Sequence, residues 1–358
     1  MALVKIASYK IKKYSRKFVE PWVTSKGTYI FREGVIISIK TTEGFLGFGE
    51  AAPLPGYSPT GLISIEKMLN EIMRQLPGVE LSNDLPSISG YIAHICNSNS
   101  ICRFALESAL CDAAARAKQL PLNKWLNPDA QSRVPVNYLI GKKSDNWVDI
   151  ALEIKNKGYR AVKIKVGGDP YIDIDRVKQI RSVLPVEVAI RIDANQGWTY
   201  NQALHVLNQL RDAKIDYIEE PIGNPDGDKI RALGEETDCP IALDESLFEI
   251  FEPRNAIREA MCDVIILKAS QIGSLAGILD FYNLASLYNR RIVLTSTLET
   301  EVGIAAQLHL ASLIGDNIPP CGFDTLRLLE NADPDLSRVR DGYIHLPNGD
   351  GIGYAGKD

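Results

Sequence analysis

Five short stretches decide the fold: AVKIK (161–165), AIRID (189–193), YIEE (217–220), IALD (241–244) and VIILK (264–268). Each carries a charge at or near its end: Lys165, Asp193, Glu219, Asp244 and Lys268. Successive charges are 28, 26, 25 and 24 residues apart. A step of that size holds one strand and one helix, and its near-constancy marks a repeated supersecondary unit. The residues before each charge are mostly apolar, as strands buried on both faces of a parallel sheet must be. A charge is costly in the middle of such a strand. At the carboxyl end it can point into a barrel mouth, where enzymes of that architecture place their sites.

The pattern extends outward from these five. Further strands are predicted at 134–140, 291–297 and 321–324, separated by amphipathic stretches such as 199–212, with Thr199 as N-cap, and 273–290. Seven or eight β/α units fit a (β/α)8-type barrel. A doubly wound open sheet, the competing α/β arrangement, would gather function at one switch point rather than at every strand end. Residues 1–125 read as a separate α+β unit: alternating strands, a hairpin turning at Thr42-Glu43-Gly44, and helices at 64–76 and 100–118. Gly44, Gly47 and Gly49 do not make a phosphate loop, because Pro53 and Pro55 follow where a helix should start. Loops at 18–28 and 51–58 are placed to close over a substrate. The expected division is a cap at 1–125, the barrel at 126–325, and a segment at 326–358 returning to the cap.

A net charge of −5 gives no support for nucleic-acid or anionic-membrane binding. The basic run Lys12, Lys13, Arg16 and Lys17 reads as a solvated strand edge. No apolar run approaches membrane-span length. Six cysteines without C-x-x-C or zinc spacing read as buried free thiols in a reducing compartment, so a cytoplasmic location is expected. His94, His205, His309 and His345 lie away from the predicted strand ends, and no Ser-His-Asp order or G-x-S-x-G elbow occurs.

Asp193, Glu219 and Asp244 are expected to meet at the mouth. Three neighbouring carboxylates repel unless a cation neutralises them. Oxygen donors without His or Cys favour Mg2+, with Mn2+ able to substitute. The alternative is ion pairing with the flanking lysines. Lys163, two residues before Lys165 and on the same face, would depress the Lys165 pKa together with the metal, making Lys165 a base. The chemistry this implies is abstraction of a proton next to a carboxylate, with the metal stabilising the enediolate.

The motifs Lys163-Ile-Lys165, Asp193-Ala-Asn195, Glu219-Glu220-Pro221, Asp244-Glu245-Ser246 and Lys268 resemble the muconate-lactonizing subgroup of the enolase superfamily over nearly the whole chain. The resemblance implies a modified (β/α)7β TIM-type barrel with an α+β capping domain. It also implies Mg2+ on Asp193, Glu219 and Asp244, Lys165 and Lys268 as catalytic lysines, and Lys163 and Asn195 in support. Residues 47–58 (GFGEAAPLPGYS), 295–300 (TSTLET) and 322–326 (GFDTL) are similar to the o-succinylbenzoate synthase family. That resemblance implies dehydration of 2-succinyl-6-hydroxy-2,4-cyclohexadiene-1-carboxylate to 2-succinylbenzoate in menaquinone biosynthesis, with Arg191, Ser296, Gly322 and Asp324 near the substrate. The rival is a dipeptide epimerase or N-acylamino-acid racemase. Dipeptide epimerases hold an ammonium with Asp-x-Asp, where this chain reads Gly322-Phe323-Asp324. Muconate cycloisomerization and a non-catalytic binding barrel are more remote. The expected partner is a small-molecule carboxylate; a homo-oligomer is allowed.

Overall fold

The computed structural model describes residues 3–24, 26–96, 99–141, 146–315 and 317–356. Ser25, within the predicted loop at 18–28, lies outside the described residues, as do the outermost residues of the chain.

Strands β1 (Leu3–Thr24), β2 (Gly27–Thr41), β3 (Leu46–Ala51) and β4 (Glu80–Ser82) form an antiparallel sheet in the order β3-β2-β1-β4. Val35, Ile37 and Ile39 alternate with less buried residues, so one face of β2 belongs to the core. Behind this sheet lies the helix Ser100–Ala117, whose alanines let it approach closely. The approach explains the glycines: a Cβ on Gly47 or Gly49 would sit 1.9 Å from the carbonyl oxygen of Ala109 or Ala105. The helices predicted at 64–76 and 100–118 are observed at Leu62–Met73 and Ser100–Ala117. A helix at Leu85–Ile95, capped by Asp84, was not anticipated.

The predicted loop at 18–28 is largely strand. Trp22, Val23 and Thr24 pair with Tyr29, Thr28 and Gly27 after a register shift that follows Lys17. A bridge from Phe18 to Leu329 and stacking of Phe18 on Trp22 support this extension. The basic run is engaged within the chain: Lys13 pairs with Glu66, Arg16 with Glu301 and Lys17 with Glu330.

After β5 (Arg133–Pro135) come the parallel strands β6 (Tyr138–Ile140), β7 (Ala161–Lys165), β8 (Ala189–Asp193), β9 (Ile215–Glu219), β10 (Ile241–Leu243), β11 (Val264–Lys268) and β12 (Arg291–Thr295). Their spatial order follows the sequence from β6 to β12 without reversal, unlike a doubly wound sheet. Isolated parallel bridges Thr295–Gly322 and Val136–Cys321 carry the ring round through a short eighth segment. The fold is a curled parallel β/α barrel under an antiparallel cap. Near the end of the chain, β13 (Tyr343–His345) pairs with β5, Gly351 accepts from Leu122 N, and Tyr354 accepts from Arg116.

The main core packs the helices on the cap sheet and on the outside of the barrel. A second, small core of Tyr217, Ala242, Val264, Ile266 and Val293 plugs the barrel interior. Charges on the same inward face above this plug have nowhere to go but the mouth. All six cysteines are buried and free; burial pushes the Cys239 and Cys321 thiols up to about 12, which removes them as nucleophiles.

Candidate active site

Strand register assembles the site. Lys165 pairs with Asp193, and Asp193 with Glu219, so three neighbouring strands present their last inward side chains in one row. Asp244 follows the end of β10, and Lys268 ends β11. In the ring, β7 and β11 are second and sixth of eight, so Lys165 and Lys268 lie on opposite sides with the three acids on the strands between.

The carboxylates are buried. Each is engaged by a lysine. Lys163 Nζ lies 2.6 Å from Glu219 Oε1 and 2.8 Å from Asp193 Oδ2. Lys165 Nζ donates to Asp193 Oδ2 at 2.6 Å and Asn195 Oδ1 at 2.7 Å. Lys268 Nζ lies 2.6 and 2.5 Å from the two Asp244 oxygens. Among the described residues no three acidic, His or Cys side chains enclose a metal-sized point. The three carboxylates stand together, with the lysines interleaved among them as ion pairs, the arrangement that buried like charges adopt with the nearest cations.

These pairs set the electrostatics. Burial alone would lower the Lys163 and Lys268 pKa values, but the carboxylates against them outweigh it and raise both. Burial likewise works against ionisation of Asp193, yet Lys163 and Lys165 hold its carboxyl below the usual range. Glu219 goes the other way: burial, then the neighbouring Asp193, pushes it well up.

A second row of acids stands behind the first. Glu220 accepts from Asp244 N (2.7 Å), Ser246 N (2.9 Å), Ser246 Oγ (2.5 Å) and Gln196 Nε2 (3.2 Å). Burial, then Glu245, pushes its pKa up to about 8. Glu245 accepts from Asn195 Nδ2 at 3.3 Å. Sequence reasoning did not assign Glu220, Gln196, Glu245 or Ser246. Glu220 stands inside a quoted motif, but its φ of 44° and its backbone partners have no sequence signal.

The site fits a hard divalent cation on three observations. The donors Asp193, Glu219 and Asp244 are all oxygen. Glu219 Oε2 is buried without a hydrogen-bond partner. Among the described residues five clustered carboxyl groups (Asp193, Glu219, Glu220, Asp244, Glu245) face three ammonium groups, and burial with the neighbouring acids pushes Glu219 and Glu220 toward their protonated forms, as befits acids short of positive charge. Holding the ion on these three acids requires the lysines to give way.

The remaining predicted contacts are placed as follows. Ser296 Oγ lies 2.8 Å from Thr325 Oγ1 and accepts from Leu298 N. Gly322 borders Thr295, and a Cβ there would sit 2.9 Å from the Thr295 Cβ. Asp324 Oδ2 accepts from Tyr159 OH (2.8 Å) and Arg327 Nε (2.9 Å), while its Oδ1 is buried and unpartnered. Arg191 lies one layer below Asp193, bonded to Asp216, Pro320 O and Asn137 and stacked on Tyr217. The structure therefore commits Arg191 to the barrel floor and not to the mouth.

Residues 7–126 match the family described as "Mandelate racemase / muconate lactonizing enzyme, N-terminal domain", and residues 147–357 match "Enolase C-terminal domain-like". The chain is 28% identical over 345 residues to a D-Ala-D/L-Ala epimerase of Cytophaga hutchinsonii, covering 96% of this chain and 92% of that one. It is 26% identical over 360 residues to the o-succinylbenzoate synthase of Bacillus subtilis (98% and 94%). A solved structure of the dipeptide epimerase from C. hutchinsonii, complexed with Mg and D-Ala-L-Val, superposes with a TM-score of 0.83 at 26% identity (98% and 95%). Epimerases of dipeptides recur among the relatives, so the comparisons shift the weight from the synthase to the epimerases. No helix among the described residues is long and apolar enough to cross a membrane.

Proposed function

The chain belongs to the mandelate racemase / muconate lactonizing enzyme family of the enolase superfamily, and from that premise we propose that it epimerizes or racemizes a dipeptide or N-acylated amino acid at the carbon next to a carboxylate. The observation that carries this reading is the placement of Lys165 and Lys268 across the ring from each other, with the acids between them. Asp193, Glu219 and Asp244 would hold Mg2+. When bound, the ion would supply the positive charge that lets a carboxylate take up the C–H bonding pair left on the α-carbon as the proton departs. Lys165, as a neutral amine, takes that proton on one face, and Lys163 adds positive charge beside it. Lys268, as an ammonium, returns a proton on the other face, so configuration inverts. Asn195 orients Lys165, and the cap keeps water out.

A second reading, the dehydration to 2-succinylbenzoate, is favoured by the last barrel segment. Gly322 offers no carboxylate, and Asp324 is bound to Tyr159 and Arg327. A free substrate ammonium would find one acid there, Asp324, whose Oδ2 is already engaged, in place of two, which weakens the case for a free dipeptide relative to an N-acylated amino acid or the cyclohexadiene acid. The test is a panel in deuterated buffer with Mg2+: L-Ala-L-Glu, an N-succinyl amino acid and the cyclohexadiene carboxylate. Solvent deuterium at the α-carbon with inversion, on either of the first two, is expected. Turnover of the cyclohexadiene acid alone moves the assignment to the dehydratase, and no exchange with any of them removes the catalytic reading.

A further inference from the structure

One buried side chain ties the cap to the barrel mouth. Arg32, on β2, is only 1% exposed. Its guanidinium reaches five backbone carbonyls. Nε donates to Leu298 (3.0 Å), Nη1 to Glu33 (2.6 Å) and Pro53 (3.0 Å), and Nη2 to Ala52 (2.5 Å) and Thr297 (3.1 Å). Ala52 and Pro53 open the proline-rich loop that follows β3. Thr297 and Leu298 belong to the turn that follows β12, at the carboxyl end of the barrel. The planar fork of arginine can serve both at once; a lysine offers a single point.

The turn needs such a hold. Leu298 has a φ of 64°, a region unfavourable for a bulky apolar side chain. Its carbonyl is held by Arg32, and its N–H by Ser296 Oγ at 3.3 Å. The turn is also bonded onward to the site. Thr297 Oγ1 lies 3.2 Å from Ser270 Oγ, two residues after Lys268, and Ser296 Oγ lies 2.8 Å from Thr325, three after Gly322. Glu50, at the end of β3, binds the other end of the turn through Thr300 N, Thr300 Oγ1 and Gly303 N.

We infer that Arg32 is a positioning residue for substrate selectivity, holding the Ala52–Pro53 loop and the strained Thr297–Leu298 turn together as one rim over the mouth. Arg32 does not touch the reacting atoms; it fixes the walls that the distal part of the substrate meets. The kinetic arm rests on the proposed function, whereas the dynamic arm does not.

The test compares wild type with Arg32→Lys, which keeps the charge and loses the fork. By hydrogen–deuterium exchange, amides of Leu54, Gly56–Ser58 and 297–300 should exchange about tenfold faster in the variant, with β7 and β11 unchanged, as for a local opening. On the substrate that wild type prefers, KM should rise about tenfold with kcat within about threefold. The ratio of kcat/KM between that substrate and one differing in its distal group should fall at least about fivefold. Unchanged protection of the rim overturns the inference, as does an equal loss on every substrate. If wild type turns over none of the panel, the proposed function has failed and the exchange result alone decides on the rim. Should Arg32→Lys not fold, Leu298→Gly, which relaxes the turn with Arg32 in place, takes the same two measurements.

Discussion

Arg191 and Asp193 are two residues apart on one strand, face the same interior and are both buried, yet they sit in opposite kinds of environment. On the floor, Arg191 and Arg291 share Asp216, Arg191 also donates to Pro320 O, and both guanidinium groups face the Tyr217 ring. At the mouth, acids outnumber lysines, an oxygen of Glu219 goes unpaired, and Glu220 is pushed up to about 8. The two regions differ in the sign of their imbalance: the floor sets two guanidinium groups on one carboxylate, the mouth five carboxyl groups on three ammonium groups. Breaking a buried pair on the floor costs stability, whereas a cluster of acids short of positive charge is a candidate for a cation from outside.

The largest expected effect separates the two regions by activity. Lys165→Ala should lower kcat by about 10²–10⁴-fold, the range of a general base, with the circular dichroism spectrum and the metal titration retained. Steady-state rates on the substrate found with the panel check this. A variant with wild-type rate would place Lys165 with the structural charges of the floor.

Arg191→Met makes the reverse cut. Removing one partner leaves Asp216 with Arg291 alone and Pro320 O without its donor, so stability should fall by about 3 kcal/mol, with Mg2+ affinity unchanged. Denaturant unfolding and metal titration measure the two. The sign of the pH dependence follows from Asp216. Burial would raise its pKa, but Arg191 and Arg291 outweigh this and hold it below the usual range. The stability from this ionised group is therefore present above the ordinary aspartate range and is lost as pH falls through the lowered value. The variant should show a shallower acid loss than wild type. A metal affinity that falls together with stability would show that floor and mouth are one network.

The sequence made the mouth legible because a charge at the end of an apolar strand is costly unless it has a task, and because the regular period repeats that cost five times. Arg191 was harder. It lies two residues from Asp193 on the same face, and only the closed ring shows that this distance separates floor from mouth. The hairpin beyond Phe18 reads as a loop because the strand pattern is broken there by a register shift, and the distant Leu329 that bridges Phe18 leaves no local signal. Arg32 carried no signal: its partners are backbone carbonyls, which no side-chain pattern encodes. Synthase-like segments weighed more in the sequence than the two opposed lysines, and the relatives redress that balance.

The smallest effect tests where the mouth ends. Glu220 touches no open space; it grips the backbone N–H groups of Asp244 and Ser246 and so fixes the direction of the Asp244 side chain. Glu220→Gln keeps the shape and the oxygen that takes both backbone N–H groups, but sets an amide donor where Ser246 Oγ and Gln196 Nε2 now find an acceptor. By the weight that outer-layer partners carry at metal sites, Mg2+ should bind about 10- to 100-fold more weakly, read by calorimetric titration of the purified protein. Glu219→Gln, which alters a proposed ligand itself, should weaken binding by at least as much. If Glu220→Gln loses stability with no change in Mg2+ affinity, Glu220 belongs with Arg191 among the groups that hold the fold and not the ion.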